Sequence, residues 1–552
     1  MATSYLTPGV YVEEMPPGSR PIEGVGTSVA AFVGFAEMGP RNKPTLVTNW
    51  SQFVDKFGSF HDGYYLAHSV YGYFQNGGGT AYVVNLAPSL APQVMLPPAT
   101  DGASGRPSLE VYAIRQGLTT ANLSVEVAYG DGYQALPPGP SAPASPAPAG
   151  DDKAGDAKGK APAAPAPRAE PAKVPDSTTP FRLDIKRGSD VLESFDGAVL
   201  DRESPRYVET LVNGLSQFIW LTPPSGKSAV MPAPRGGVYN LNKPASLASQ
   251  ISTPEFMGKI QDRSGIEGLE AVDEITIVCA PDLMSAYKKG WINDDALVGL
   301  QKAMLAHCER MQDRVAIIDA PPGLDPQDML EWRNKSMIDS QYGALYYPWI
   351  KVLDPLDATG KRLLSIPPSG HMAGIWARTD NERGVHKAPA NEVVRGAVNV
   401  AQDITEGEQG LLNPKGVNCI RPFGTRGIRV WGARTLSSDA AWKYINVRRL
   451  FNYIEESIKQ GTNWAVFEPN DFSLWQRLKR DITAFLQRPY REGALFGATA
   501  DQAFYVKCDS ETNPPDVIDA GMVIVEVGIC PVKPAEFVIF RVTQLPTGGV
   551  TA

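Results

Sequence analysis

Apolar and polar positions divide the 552 residues into stretches of different period. Residues 27–35 form a nearly continuous apolar run, as a buried strand requires, and Trp50, Phe53 and Phe57 then recur at helical spacing until Gly58. A second helix is predicted over residues 64–74, stopped by Gly77, Gly78 and Gly79, which lead into a strand over residues 80–86. These glycines do not read as a phosphate loop, because such loops join a strand to a helix and carry a lysine. Residues 109–128 and 181–195 are β-rich. From about residue 245 the pattern becomes strand, helix, strand: strands over 275–279, 315–318 and 344–347, with helices over 294–311 and 329–337. That alternation implies parallel strands joined by right-handed crossovers.

The last third changes character again. Residues 416–436, GVNCIRPFGTRGIRVWGARTL, interleave turn glycines with arginines and read as strands and turns. Ser437, Ser438 and Asp439 then offer N-cap chemistry, and Trp442, Val447, Leu450, Phe451, Ile454 and Ile458 predict a helix ending at Gly461, with Lys443, Arg448, Arg449 and Lys459 mostly off its apolar face. A second helix starts near Asp471 with Trp475, Leu478, Ile482 and Phe485 as its stripe. Arg477, Arg480 and Arg488 lie opposite, and Pro489 is the expected stop. Residues 522–529 and 536–544 alternate apolar with polar positions, as strands do.

Composition narrows the options. A hydrophobic content of 43% supports several ordinary cores, while a net charge of −8 argues against a general nucleic-acid binder and leaves the basic helix as a surface for a protein partner. The five cysteines lack metal-ligand spacing, so the expectation is synthesis in a reducing cytoplasm without bound metal. No signal peptide or membrane-spanning run is present, and direct membrane insertion is not expected. Residues 136–176, rich in Pro, Ala, Gly and charge, read as a disordered linker pointing to solvent. Residues 4–22 are too proline-punctuated for a core and read as an extended arm.

Candidate chemistry is sparse. Asp282 and Asp319 stand near the carboxyl ends of predicted parallel strands, where α/β enzymes bind ligands, and they carry the alternative reading of a hydrolase-like enzyme. Each also sits beside proline, as turn and cap residues do. His61, His68, His307, His371 and His386 fall in no recognisable catalytic motif, and neither G-x-S-x-G nor H-E-x-x-H occurs. No catalytic, cofactor or metal site is assigned.

Several separate blocks resemble contractile tail sheath proteins of contractile-tailed phages and of phage-tail-like injection particles. They are TPGVYVEE and GTSVAAFVGFAEMGP near the start, PPSGHMAGIWARTDNERGVHKAPAN (367–391), the run 416–436, WKYINVRRL (442–450), WAVFEPN (464–470), GALFG (493–497) and PAEFV (534–538). The resemblance implies a multidomain protein of α/β and α+β class. It would comprise an N-terminal arm (1–25), a discontinuous core domain built from both chain ends (26–88 and 367–535), a peripheral inserted β domain (89–244), a subtilisin-like α/β domain (245–366) and a C-terminal arm (536–552). It further implies a structural subunit without cofactor that forms a helical homo-oligomer around an inner tube, with baseplate and terminator proteins as partners. Assembled in the bacterial cytoplasm, such a particle acts there or after lysis. On this reading Gly9, Val10, Tyr11, Val12, Glu13 and Glu14 add a strand to a neighbour, as do Glu536, Phe537, Val538, Ile539, Phe540 and Arg541, and the basic face of Arg477, Arg480 and Arg488 meets the tube.

Overall fold

A computed structural model describes residues 21–87, 92–99, 107–114, 120–130, 175–222, 232–242, 251 and 253–541. The expected arm positions Gly9 to Glu14, most of the linker and residues 542–552 lie outside them.

The chain first contributes β1 (Val29–Gly34), β2 (Thr45–Val47), α1 (Trp50–Phe57), α2 (Leu66–Gln75) and β3 (Thr80–Asn85). It then enters a β-rich excursion of β4 (Gln93–Leu96), β5 (Leu109–Ala113), β6 (Leu123–Tyr129), β7 (Phe181–Arg187), β8 (Asp190–Ala198), β9 (Ile219–Thr222) and β10 (Gly237–Asn240). It returns through β11 (Ile277–Cys279), α3 (Asp294–Met311), β12 (Val315–Asp319), α4 (Pro326–Ser336) and β13 (Gly343–Tyr347). There follow β14 (Ile350–Leu353), β15 (Leu363–Ile366), α5 (Ser369–Arg383), β16 (Ala397–Val400), β17 (Val417–Pro422) and β18 (Ile428–Trp431), and the chain closes with α6 (Ile445–Thr462), α7 (Phe472–Arg491), β19 (Phe504–Lys507) and β20 (Glu526–Ile529).

One eight-stranded sheet in the order β18-β17-β13-β12-β11-β1-β3-β2 forms the centre. Its six inner strands are parallel, with β18 and β2 antiparallel at the edges. β12 and β13 are buried at every position, which is why their sequences read as unbroken apolar runs rather than alternation. α2 and α5 pack on each other and cover β1, β11 and β12. Gly374 permits that approach, since a Cβ there would lie 2.5 Å from the carbonyl oxygen of Tyr73. The sheet crosses the expected boundaries: β1 precedes residue 88, β17 follows residue 366, and both pair with strands of the middle segment. Sequence patterns fix a strand's burial but not its neighbours.

The excursion folds into two small antiparallel sheets, β10-β6-β7-β8 and β4-β5-β9, that share a core of Leu96, Leu109, Val111, Val125, Leu183, Ile185 and Leu221. A separate core built on α6 and α7 includes Leu450, Ile454, Ile482, Phe485 and Leu486 and is backed by the β19–β20 hairpin. The protein is thus a mixed α/β multidomain chain.

Four local expectations are corrected. α6 begins at Ile445, because residues 437–444 form turns in which Asp439 accepts from the Ala441 N–H at 2.8 Å. Gly461 lies inside α6 rather than ending it. Pro489 is likewise internal, α7 running on to Arg491, and the buried ring offsets the missing backbone donor by packing. Of residues 522–529 only Glu526–Ile529 is strand; the described part of 536–544, expected to pair across subunits, stands in no sheet among the described residues.

Candidate functional site: the roots of the two chain ends

The helix α6 is amphipathic, yet two arginines expected off its apolar face are buried. Arg448 and Arg449 have side chains only 4% exposed. Arg448 packs its guanidinium over Trp442, Tyr342 and Phe451 and donates to Asn452 at 2.8 Å and Glu455 at 2.9 Å. Arg449 makes a bidentate pair with Asp380 of α5, at 2.8 and 2.5 Å, and lies 4.8 Å from the Trp376 ring centre. Arginine tolerates such sites because its planar fork meets a carboxylate and an aromatic face together. The spacing of apolar residues could not have revealed this, since Asp380 and Trp376 sit on α5, Trp442 in the turn before α6 and Tyr342 just before β13.

Arg449 also donates to the Thr27 carbonyl at 2.8 Å, and Thr27 Oγ1 donates to Asp380 at 2.6 Å. These bonds fix the residues where the N-terminal segment enters the body. Further out, the Val25 N–H donates to Ser457 Oγ at 3.1 Å, Gly24 lies against the Tyr453 ring, and Ile22 packs on Gly461, where a Cβ would come within 2.6 Å of it.

The C-terminal segment has its own anchor. Glu536 accepts from Arg434 Nε at 2.8 Å and Nη2 at 2.6 Å, from Asn413 at 2.9 Å and from Tyr444 at 3.1 Å. Burial pushes the Glu536 carboxyl up, but the bonds from Arg434 and Asn413 outweigh it and hold it below its ordinary value. Immediately beyond, Phe537, Val538, Ile539 and Phe540 are 72%, 70%, 80% and 85% exposed. Four consecutive bulky apolar side chains, next to a fully bonded carboxylate, are thus left uncovered by the described residues.

On α7 the arginines stand as expected, opposite the buried stripe of Trp475, Leu478, Ile482 and Phe485. Each is already paired: Arg477 with Glu468 at 3.1 Å, Arg480 with Asp481 at 3.2 Å and Arg488 with Glu492 at 3.0 Å. Arg477 also lies over Trp464. The Arg477 and Arg488 pairs are exposed on both sides and such pairs contribute little to stability, whereas the Asp481 partner of Arg480 is buried.

Asp282 and Asp319 are bonded to different helix ends. Asp282 accepts the N–H groups of Phe35, Tyr65 and Leu66 at 2.7, 2.6 and 3.1 Å, closing the N-terminus of α2. Asp319 accepts from the Ser369 N–H at 2.9 Å and hydroxyl at 2.6 Å, closing the N-terminus of α5. Both are buried, and burial pushes each carboxyl up to about 7 against the pull of these donors. Neither lines the cavity of about 630 Å³ beside His68 and His371. Burial drives those two imidazoles down to about 4 and about 3, leaving them neutral packing groups, and does the same to His307.

Residues 266–436 match the phage tail sheath protein central domain, and residues 437–544 match the phage tail sheath C-terminal domain, so that the two adjoining matches cover half of the chain. The chain belongs to the phage tail sheath family. The tail sheath protein of Burkholderia phage BcepMu is 24% identical over 95% of this chain and 94% of its own length. That of Salmonella phage ViI is 29% identical over 42% of this chain, but the match spans only 39% of the ViI protein. In fold, the chain resembles the helical sheath of the anti-feeding prophage in its contracted state, at a TM-score of 0.55 and 24% identity over 98% of this chain and 100% of that one. It also resembles the contracted sheath of the extracellular contractile injection system PVC, at 0.52 and 22% over 98% and 99%. Within this sheath protein the matched blocks carry both the Glu536 anchor and the buried arginines of α6.

Proposed function

We propose that this sheath protein is the repeating subunit of a contractile sheath, polymerising around an inner tube in a metastable extended state and shortening to drive the tube through a target envelope. The exposed run Phe537 to Phe540 beyond the Glu536 anchor is the observation that carries this reading. An extended segment with apolar side chains on both faces suits insertion into a sheet of another subunit, where main-chain bonds supply affinity and burial adds to it. The β19–β20 hairpin offers such a host, having two strands and hence two open edges. The arm of Gly9 to Glu14 is the complementary connector, and head-to-tail joints of this type do not close, so they generate filaments.

In this scheme the body, whose middle segment we take to be subtilisin-like in topology, moves as a rigid unit while new contacts between bodies drive contraction. The tube is met by Arg477, Arg480 and Arg488; the exposed partners of Arg477 and Arg488 are weak enough to be exchanged for carboxylates of the tube and released again. Assembly takes place in the bacterial cytoplasm, with baseplate and terminator proteins setting the ends. No chemistry is required, since Asp282 and Asp319 are committed to helix ends.

Electron microscopy of the full chain beside versions lacking residues 1–20 or 537–552 tests the reading. Hollow tubes from the full chain that disappear in both truncations are expected; compact monomers in the presence of tube and baseplate would overturn it. Reversal of Arg477 and Arg480 to glutamate should leave sheath polymers intact but detach them from tubes.

A further inference from the structure

Both ends of the described chain converge on one helix. Residues 22–27 follow a single stripe of α6, spaced four residues apart: Gly461 meets Ile22, Ser457 holds Val25, Tyr453 underlies Gly24 and Arg449 binds Thr27. The lengths agree. Twelve helical residues from 449 to 461 rise about 18 Å, and five extended steps from 22 to 27 cover about 17 Å. The two ends of the segment thus sit at opposite ends of this stripe, running against the direction of the helix, with Gly24 and Val25 held between them.

The C-terminal segment is fastened to the opposite end of the same helix. Tyr444, the N-cap residue, donates to Glu536, and Asn446 in the first turn donates to the Val532 carbonyl at 3.2 Å. Arg434 and Asn413 complete the grip on Glu536. α6 in turn is locked to the body by the buried Arg449–Asp380 pair and by Arg448 within its aromatic cage.

We propose that α6 is a strut that fixes the separation and direction of the two arm roots, with Gly461, Tyr453 and Ser457 as positioning residues for the N-terminal root and Arg434, Asn413 and Tyr444 for the C-terminal one. The inference rests on the sheath reading and adds to it where motion is not allowed. A neighbour held through one arm and a neighbour held through the other are coupled through a single rigid element about 26 Å long between residues 444 and 461. A displacement of one neighbour is then passed to the next instead of being absorbed at the arm roots. Any change of arm direction on contraction falls before Ile22 and beyond Glu536.

The test uses the full chain with Cys530, the exposed cysteine among the five, replaced by serine, the other four being buried. Nitroxides are attached to Glu23→Cys and Lys459→Cys, and in a second sample to Glu23→Cys and Lys533→Cys. All three positions are exposed and outside the contacts that seat the roots. Labelled subunits are diluted into unlabelled ones, assembled with tube and baseplate, and measured by pulsed dipolar spectroscopy before and after contraction. The same distance distribution in both states is expected for both pairs, and a shifted distribution for either would overturn the strut. A second arm uses Gly461→Leu, which displaces Ile22 and should raise the critical concentration for polymerisation about tenfold, equivalent to about 1.4 kcal/mol. The double variant Ile22→Ala/Gly461→Leu, which restores the space, should recover it. Wild-type polymerisation of the single variant, or no recovery in the double, counts against the proposal, whereas failure of the unmodified chain to form sheaths would strike the sheath reading itself.

Discussion

Removing one member of the Arg449–Asp380 pair should cost far more than removing both. The two side chains are 4% and 3% exposed, so water cannot take over from a lost partner. Arg449→Met keeps most of the stem volume but leaves the Asp380 carboxylate with only the Thr27 hydroxyl, and breaking a buried pair in this way costs about 3–5 kcal/mol. Asp380→Leu leaves a buried guanidinium with the Thr27 carbonyl and the Trp376 face. The ring contact recovers about 0.5–2 kcal/mol of a similar loss. With both charges gone, the double variant carries no unpaired ion and should fall only about 0–2 kcal/mol below wild type. The coupling is therefore several kcal/mol. Urea unfolding followed by far-UV circular dichroism measures it, at one low protein concentration because polymerisation would add stability by mass action. Single and double effects that add to within about 0.5 kcal/mol would refute the reasoning, since they would mean that the two charges do not depend on each other.

Two further outcomes follow from the buried and anchored carboxyls. Asp319, pushed up from 3.8 to about 7, folds best protonated; its contribution is fully present below 3.8 and is lost as pH rises through 7. Urea midpoints should thus be higher at pH 5 than at pH 8, with a smaller difference in Asp319→Asn. Glu536 has the opposite sign: its carboxyl lies below its ordinary 4.5, so its anchoring is present above 4.5 and lost as pH falls through the lowered value. The protection factor of the Val532 amide, which donates to the Ala494 carbonyl at 3.1 Å beside this anchor, should fall in acid once the slower intrinsic exchange is divided out, and Glu536→Gln should show that lower protection already at neutral pH.

Much of the fold was legible from residues whose environment is local. The helices at Trp50 and Asp294 announce themselves by period and by side-chain caps, Asn49 and Asn293 each accepting a first-turn N–H. The unbroken apolar strands announce burial on both faces. Sheet membership was not legible, because β1 and β17 find their partners across more than 200 and about 70 residues of sequence, and only tertiary packing selects them. The site was half visible. Glu536 and the apolar run after it stand out as a strand, but nothing local says that the carboxylate belongs to Arg434, about a hundred residues earlier. Arg448 and Arg449 were misplaced for a related reason: charge predicts exposure unless a partner waits inside, and Tyr342, Trp376, Asp380 and Trp442 all lie outside α6. Gly461 misled because a helix-stopping residue and a residue cleared for Ile22 to dock look identical in sequence.

The free run Phe537 to Phe540 also has a bearing on supply. A short, uncharged, aromatic and β-branched window with no proline is the composition from which cross-β aggregates nucleate. Here it is bounded by Glu536 on one side and Arg541 on the other, charges of the kind that guard such windows. On the proposed capture of this run by a neighbouring subunit, every newly made chain carries its own aggregation hazard until then, and orderly growth competes with precipitation for the same four residues. The ratio of growing ends to fresh chains then decides the yield of particles, and overproduction of this protein without an initiating complex should divide it between tubes and insoluble material.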